Sequence, residues 1–241
     1  MYALIQRKQQ DAGLFSNVQT SLELAKKAFD ARLVPVFDFR TAMDLYRTRP
    51  SENVWDTFFV QPHRAEEVPE DSDVFRFPRG SRIRDWSILS DLAIEHLVVQ
   101  PHLVDAHSAL LAAAGISEPY HCVFFRGTDK PKESKPVPMH EFEDAICSHE
   151  ITVIQTDDQR FLDYANSLRS DLIWLSGMHS QDGTPLHKHP LISPRERGVL
   201  AIMAYLTLVR SDRLTCNTSN LSNCARFVRN RADTLLGHER I

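Results

Sequence analysis

Short apolar runs alternate along this chain with segments of helical periodicity, and this alternation restricts its fold more than any other feature. Residues 2–5 are predicted to form a strand, and Gly13 supplies a turn. Apolar residues then recur at helical spacing across residues 18–31, and residues 33–39 (LVPVFDF) form the next apolar run. A strand, a turn, a helix and a strand in this order predict a parallel βαβ crossover.

The same alternation restarts more clearly after residue 119. Four short runs are predicted strands: 121–125 (HCVFF), 151–155 (ITVIQ), 172–175 and 213–216. Four segments are predicted helices: 141–147, 161–168, 197–208 and 222–236. This half is therefore predicted to be a doubly wound, mostly parallel sheet.

The segment that joins these two patterns carries two further predicted elements. Residues 93–99 are predicted to form a strand, and residues 102–114 a helix that stops at Gly115. The whole pattern predicts an α/β fold divided near residues 115–119, with one domain over residues 1–118 and a second over residues 119–241.

Charge, hydropathy and cysteine usage exclude several classes of function. The net charge of −4 argues against nucleic acid or an acidic membrane surface as the main partner. No apolar run approaches the roughly 18 residues of a membrane span, and the first residues lack a signal-peptide core. The four cysteines include no CxxC pair, which favours buried reduced thiols and a cytoplasmic location.

Polar groups follow three of the predicted strands in the second half. They are residues 126–130 (RGTDK), 156–158 (TDD) and 217–222 (NTSNLS). Ligands of open parallel sheets bind beyond the carboxyl ends of the strands. Arg126 offers a planar, bidentate cation suited to a diphosphate, and residues 217–222 place hydroxyls and backbone N–H groups at a helix start. Together they predict a pocket for a phosphorylated donor.

Four motifs in this half resemble a known family in their order. Residues 125–130 (FRGTDK) are similar to the H-[IV]-R-R-[TG]-D-K signature of the α1,6-fucosyltransferase, NodZ and protein O-fucosyltransferase superfamily. Three further motifs follow in the family's order: Thr156-Asp157-Asp158, Arg197-Gly198-Val199, and Cys216 with Ser219. The resemblance covers residues 121–230.

The chain departs from the family pattern at three positions. Phe124 stands where the signature has histidine, and Gly127 where it has a second arginine. An aspartate that reads guanine in close relatives would fall near Ile202. The signature arginine itself is present as Arg126.

The resemblance implies a GT-B-like fold of two facing Rossmann-like domains, with the acceptor on the N-terminal domain and the nucleotide on the C-terminal one. It implies an inverting, metal-independent glycosyltransferase that moves a sugar, such as fucose from GDP-fucose, to a hydroxyl of a glycan or glycoconjugate. No separate cofactor is implied, since the nucleotide sugar is a substrate. The partners it implies are that donor, the acceptor and, as a further possibility, a larger glycan-synthesis assembly.

The resemblance also implies roles for individual residues. Arg126 would clamp the diphosphate, Asp129 would orient that arginine or its loop, and Glu133 stands one residue from the family's acidic base. Asp157 and Asp158 would hold the loop or bind the nucleoside. Asp129, Asp157 and Glu143 are reserve candidates for the base. Further donor contacts are implied at the start of the first helix and along the motifs: Gly13, Asn17, Thr128, Lys130, Arg197, Ser219, Asn220 and Ser222.

Several of these residues also have a purely structural interpretation. Asp157, Asp158, Ser219 and Ser222 fit helix caps, and Gly13 with Asn17 fits a plain turn and cap. The spacing of His179, His187 and His189 suggests a metal site, but no cysteine or carboxylate partner has suitable spacing. No metal site is therefore predicted. The alternative is that these histidines contact the acceptor.

Two rival functions stay open on the sequence alone. A non-catalytic nucleotide-sugar-binding module would keep the anion pocket and lose the base. A phosphate-ester enzyme would need a glycine-rich phosphate loop or a nucleophilic Asp or Cys motif, and the sequence shows neither.

Overall fold

The computed structural model describes residues 1–6, 12–76, 86–117, 119–128, 136–175, 184–185, 188–229 and 233–236. In the described part of the first half, the strands and α-helices follow in the order β1 Tyr2–Gln6, α1 Leu14–Asp30, β2 Val34–Asp38, α2 Val54–Phe58, β3 Asp73–Arg76, α3 Trp86–His96 and α4 Pro101–Ala113. The second half contains β4 His121–Phe125, α5 Glu143–Cys147, β5 Thr152–Thr156, α6 Gln159–Leu168, β6 Ile173–Trp174, α7 Pro194–Arg210, β7 Arg213–Asn217, α8 Asn220–Arg229 and β8 Thr234–Leu236.

These strands form two parallel sheets. The first has three strands in the order β2-β1-β3, and the second has five in the order β6-β5-β4-β7-β8. All the strand pairs in both sheets are parallel. Strand β4 is central in the larger sheet, and all five of its residues are buried. The α/β class with mostly parallel sheets is confirmed.

Helices from both halves contact one another and share one apolar core. Helices α1 and α3 contact α8, and α4 contacts α7. Phe15 of α1 stacks on Tyr205 of α7 with ring centroids 4.9 Å apart. A continuous cluster of buried side chains runs from Ala3 to Phe227 through both halves. Because both halves contribute to this core, the packing does not mark a boundary, and the division between residues 118 and 119 stays a prediction.

Gly198 lets α7 approach α2 closely. A Cβ atom at this position would lie 2.0 Å from Cζ of Phe58. No real packing tolerates that distance, so a side chain at position 198 would push the helices apart. This glycine of the Arg197-Gly198-Val199 motif thus joins the two halves of the chain.

The prediction of a strand over residues 93–99 is wrong, because these residues mostly belong to helix α3. Leu89, Leu92, Ala93 and Leu97 are buried, and their spacing of three and four residues is that of one helical face. The helix begins at Trp86, seven residues before the predicted strand. Only Val99 keeps a strand-like contact, an isolated antiparallel bridge to Phe59.

The prediction of one closing helix over residues 222–236 is also wrong. Helix α8 ends at Arg229, and Thr234–Leu236 form strand β8 beside β7. Residues 234–236 pair with β7 in parallel instead of continuing the helix. Arg229, the last residue of α8, has its Nη2 2.8 Å from Oδ1 of Asp233 and donates from Nη1 to the carbonyl of Leu208 at 2.8 Å. This buried guanidinium ties the end of α7 to the chain beyond α8.

Two further expectations can be compared with the structure. Within the described ranges, no helix is long and apolar enough to cross a membrane. The four cysteines are free thiols, and Cys122, Cys216 and Cys224 are buried as expected. Cys147 is exposed, because it ends the short helix α5 at the surface.

Candidate functional site

Arg126 lies directly after the central strand of the larger sheet, and its backbone is fixed by a neighbouring strand end. Its N–H donates to Oδ1 of Asn217 at 2.8 Å, and its carbonyl accepts from Nδ2 of the same side chain at 2.9 Å. Asn217 ends β7 and is 5% exposed. One amide side chain therefore holds the residue through both backbone groups, so its position does not depend on a flexible loop.

The Arg126 side chain is oriented by Asp157, the residue that follows β5. Nη1 of Arg126 lies 2.5 Å from Oδ2 of Asp157. The same carboxylate accepts the backbone N–H of Gly127 at 2.8 Å and the hydroxyl of Thr128 at 2.5 Å. The Arg126 side chain keeps 21% of its surface exposed, whereas Asp157 keeps 5%. Asp157 is thus buried and fixes the side chain of Arg126, which stays partly exposed.

Gly127 occupies a space that no side chain could share. A Cβ atom there would lie 2.4 Å from Oδ2 of Asp158 and 2.6 Å from Cε1 of Phe125. The second arginine of the family signature could not fit here without displacing the start of α6. This departure from the signature therefore has a local steric cause.

Asp158 has a different set of contacts from Asp157. Its Oδ1 accepts the backbone N–H of Arg160 at 3.0 Å and caps helix α6. Its Oδ2 pairs with Nη2 of Arg160 at 2.6 Å. The capping interpretation describes Asp158, which is 3% exposed, while its neighbour Asp157 faces the Arg126 loop.

Ser219 and Ser222 form the cap of helix α8. Oγ of Ser219 accepts the backbone N–H of Ser222 at 3.0 Å, and Oγ of Ser222 accepts that of Ser219 at 2.9 Å. The Ser222 hydroxyl also lies 2.9 Å from the carbonyl of Asn217. Ser222 is fully buried, whereas Asn220, the first helical residue, is half-buried. The reciprocal cap orients the first N–H groups of α8 at the same sheet edge as Arg126.

In the first half, the start of α1 holds the residues predicted there. The helix begins at Leu14 rather than near Val18, so Gly13 is its cap position and Asn17 lies within its first turns. Asn17 is fully buried, and its Nδ2 donates to the carbonyl of Ala12 at 3.2 Å. The backbone N–H of Leu14 donates to the phenol oxygen of Tyr46 at 2.8 Å.

Tyr46 links this helix start to the two arginines of the motifs. Burial raises the pKa of the Tyr46 phenol to about 12, and the positive charges of Arg126 and Arg197 act in the opposite direction. Arg197 itself reaches back to the first half, where its Nη1 lies 3.5 Å from the carbonyl of Leu45. The start of α1, Arg126 and Arg197 therefore share one electrostatic environment.

The guanidinium of Arg197 contacts two backbone carbonyls, but not all of its N–H groups have a hydrogen-bond partner among the described residues. Its Nη2 donates to the carbonyl of His189 at 2.8 Å. Its Nε is buried and has no hydrogen-bond partner among the described residues. A buried guanidinium N–H without an acceptor carries a desolvation cost, which a bound anion or water would remove.

Some predicted residues fall outside the described ranges: Asp129, Lys130, Glu133, His179 and His187. Glu143, a reserve candidate for the base, is an α5 residue that accepts the hydroxyl of Tyr164 at the surface. His189 accepts the N–H of Leu191 on Nδ1 at 3.4 Å. A search for three or more clustered His, Cys, Asp or Glu residues found none in the part of the chain that the structure describes.

Asn217 and Tyr46 belong to this arrangement, although no individual role was predicted for either residue. Asn217 opens the polar run 217–222 that was predicted to form part of the pocket. The position of Asn217, at the carboxyl end of a predicted strand, was a usable signal for it. Tyr46 had no comparable signal, because its place depends on how the chain turns after β2.

Comparison with known proteins gives a match by structure and none by sequence. No family model and no curated protein matches this sequence. A structure of NodZ α-1,6-fucosyltransferase soaked with GDP-fucose matches with a TM-score of 0.56 and 16% identity, covering 94% of this chain and 92% of that one. NodZ from Bradyrhizobium matches with a TM-score of 0.53 and 16% identity, covering 93% and 92%.

A structure of POFUT1 in complex with GDP also matches. Its TM-score is 0.59 at 10% identity, and the match covers 98% of this chain and 99% of POFUT1. The resemblance to the fucosyltransferase superfamily that the four motifs indicated is confirmed at the level of the fold.

Proposed function

We propose that this chain is a glycosyltransferase of the fucosyltransferase type, which transfers fucose from GDP-fucose to a hydroxyl group of a glycan or glycoconjugate. The observation that supports it most is Arg126, held through its backbone by Asn217 and through its side chain by Asp157 at the carboxyl edge of the central strand. The structural neighbours with GDP or GDP-fucose bound have the same fold, which favours a guanine nucleotide sugar as donor.

The proposed reaction is a single displacement. The acceptor oxygen attacks the anomeric carbon of the sugar while the bond from that carbon to the β-phosphate oxygen breaks. A base takes the proton of the acceptor hydroxyl, and the nucleoside diphosphate leaves with the bonding electrons. Negative charge grows on the leaving diphosphate, where a preoriented guanidinium stabilises the transition state more than the ground state.

The remaining roles follow the resemblance. Glu133 is proposed as the base, and Asp157 as the group that orients Arg126. Thr128, Lys130, Arg197 and the capped start of α8 are proposed donor contacts. The reaction is proposed to need no divalent ion, because Arg126 and Arg197 supply positive charge at the position of the diphosphate. Activity that EDTA abolishes and Mn²⁺ or Mg²⁺ restores would contradict this part of the proposal.

A thermal-shift screen with GDP, UDP, CDP and CMP tests the proposed donor. A ligand at 100 times its Kd stabilises the native state by about 2.7 kcal/mol. For a chain of this size that corresponds to a rise in Tm of about 5–10 °C. We expect this rise with GDP and a smaller one with the other nucleotides. No shift with any of the four would contradict the proposal.

Turnover then separates an enzyme from a binding module. We expect GDP release from GDP-fucose in the presence of a glycan acceptor, and we expect Glu133→Gln to abolish it without loss of GDP binding. GDP binding without turnover on any acceptor would favour the non-catalytic module instead.

A further inference from the structure

The turn that follows β2 has an unusual backbone. Met43 is fully buried, and its backbone has a φ of 63°. This is the left-handed region, which residues other than glycine rarely adopt. Its carbonyl accepts the N–H of Tyr46 at 2.9 Å, which closes the turn. Strained residues of this kind persist where the surrounding structure requires one particular position of the chain. Here the residue that the turn positions is Tyr46.

The Tyr46 hydroxyl accepts one hydrogen bond but donates none to the described residues. Its oxygen accepts the N–H of Leu14, the first residue of the 17-residue helix α1. Its own proton has no acceptor among the residues that the structure describes. The side chain is 2% exposed, and because the pKa of the phenol is raised, the proton stays on the oxygen at neutral pH. A buried donor therefore stands at the positive end of a helix without an acceptor.

The groups around Tyr46 all favour negative charge. Arg126 and Arg197 act on its phenol with positive charge. The Arg197 Nε lacks a partner among the described residues, and its Nη1 reaches the carbonyl of Leu45 beside Tyr46. Two cations, a helix start and an uncommitted hydroxyl proton form a site that an anion would complete.

We propose that Tyr46 is a diphosphate-binding residue, contributed by the first half of the chain, whose hydroxyl donates to the leaving diphosphate of the nucleotide sugar. The inference rests on the proposed function. It adds that the diphosphate is bound from both sides: by Arg126 at the edge of the larger sheet, and by Tyr46 at the start of α1.

Tyr46→Phe removes the hydroxyl and keeps the buried ring. A hydrogen bond to a charged group contributes enough that its loss weakens GDP and inorganic pyrophosphate binding about 10- to 100-fold. Tyr205→Phe is the matched control, since this buried tyrosine of α7 also has a hydroxyl without a partner among the described residues. The control should bind both ligands like the wild type.

The outcomes separate this inference from the proposed function. If the wild type binds GDP and Tyr46→Phe binds it equally well, Tyr46 is structural and the inference fails alone. If the wild type binds neither GDP nor pyrophosphate, the proposed function fails with it. Should Tyr46→Phe not fold, hydrogen exchange of the wild type decides. GDP should slow exchange at the Leu14 amide, and an unchanged rate there would overturn the inference.

Discussion

The carboxyl edges of the two sheets are built differently. In the larger sheet, β4 is buried along its whole length, and the residues after it are held by Asn217 and Asp157 from the neighbouring strands. In the smaller sheet, the side chains at the edge bind mainly one another. Gln6 donates to Asp38 at 2.9 Å, and Arg76 donates to Gln6 at 3.1 Å.

Electrostatics show the same contrast. Burial raises the pKa of Asp38, but hydrogen bonds from Arg40 and Gln6 outweigh it and hold the pKa below its ordinary value. Both oxygens of that carboxylate are already used by these neighbours. At the larger sheet, Asp157 uses its oxygens to aim a partly exposed Arg126. The larger sheet thus fixes a partly exposed cation at its edge, whereas the smaller one neutralises its own edge charges.

The largest effect is expected for Arg126→Lys. Lysine keeps the charge and the backbone bonds to Asn217, but it loses the planar fork that we propose grips two diphosphate oxygens. Turnover with GDP-fucose should fall about 100- to 1000-fold, as for the loss of one preoriented donor to a developing anion. The Tm should change little. Arg160→Lys, at the exposed partner of Asp158, is the control and should keep full turnover.

If Arg126→Lys retains most of the activity, Arg126 does not clamp the diphosphate. If it unfolds, the ion pair with Asp157 is structural, and the contrast between the two edges disappears.

The next effect is a loss of folding stability at acid pH, caused by His107 at the contact between the two halves. His107 is fully buried between α4 and α7, with Nε2 2.9 Å from Oγ1 of Thr207. Burial and the charge of Arg210 lower its pKa to about 4. The unfolded chain therefore binds one proton more between about pH 6.5 and pH 4, and stability falls as the pH drops through this window.

At about 1.4 kcal/mol per pKa unit, His107 accounts for a loss of about 3 kcal/mol by pH 4. Urea unfolding from pH 7 to pH 4 measures it. The slope should be shallower for His107→Gln and unchanged for His102→Gln, an exposed residue of the same helix. Equal slopes for wild type and His107→Gln would contradict the assignment.

A smaller effect is expected for Gly198→Ala. The new Cβ atom would collide with Phe58, so α7 and α2 would have to separate. Overpacking of this kind lowers the free energy of unfolding by about 1–3 kcal/mol, or the Tm by about 2–10 °C. Part of the loss should return in a Phe58→Leu background. An unchanged Tm would mean that the two halves do not depend on this contact.

The smallest effect is expected for Asp158→Ala, which removes the cap of α6. The loss of a cap lowers the free energy of unfolding by about 1 kcal/mol. Turnover should fall far less than in Arg126→Lys, because Asp157 still orients the arginine. Asp163→Ala, on the exposed face of the same helix, is the control for stability. A loss of turnover as large as that of Arg126→Lys would give Asp158 a ligand role.

The sequence was sufficient for the strands of the larger sheet and for the position of Arg126, because each strand is a compact apolar run that ends in polar residues. It failed at α3, because part of the helical face formed by Leu89, Leu92 and Ala93 was interpreted as a strand. It also failed after Arg229, because β8 is defined by its pairing with β7, a tertiary contact that a local helical period does not show. Tyr46 could not be found either, since its position depends on the left-handed turn at Met43 and on packing against α1.

Hydrogen exchange with and without GDP tests the central claim most directly, namely that the larger sheet holds the diphosphate and the first half assists it. GDP should slow exchange most at residues 126–128, 156–158 and 219–222, and to a lesser degree at Leu14. Protection confined to residues 1–60 would reverse the roles of the two halves and contradict the account.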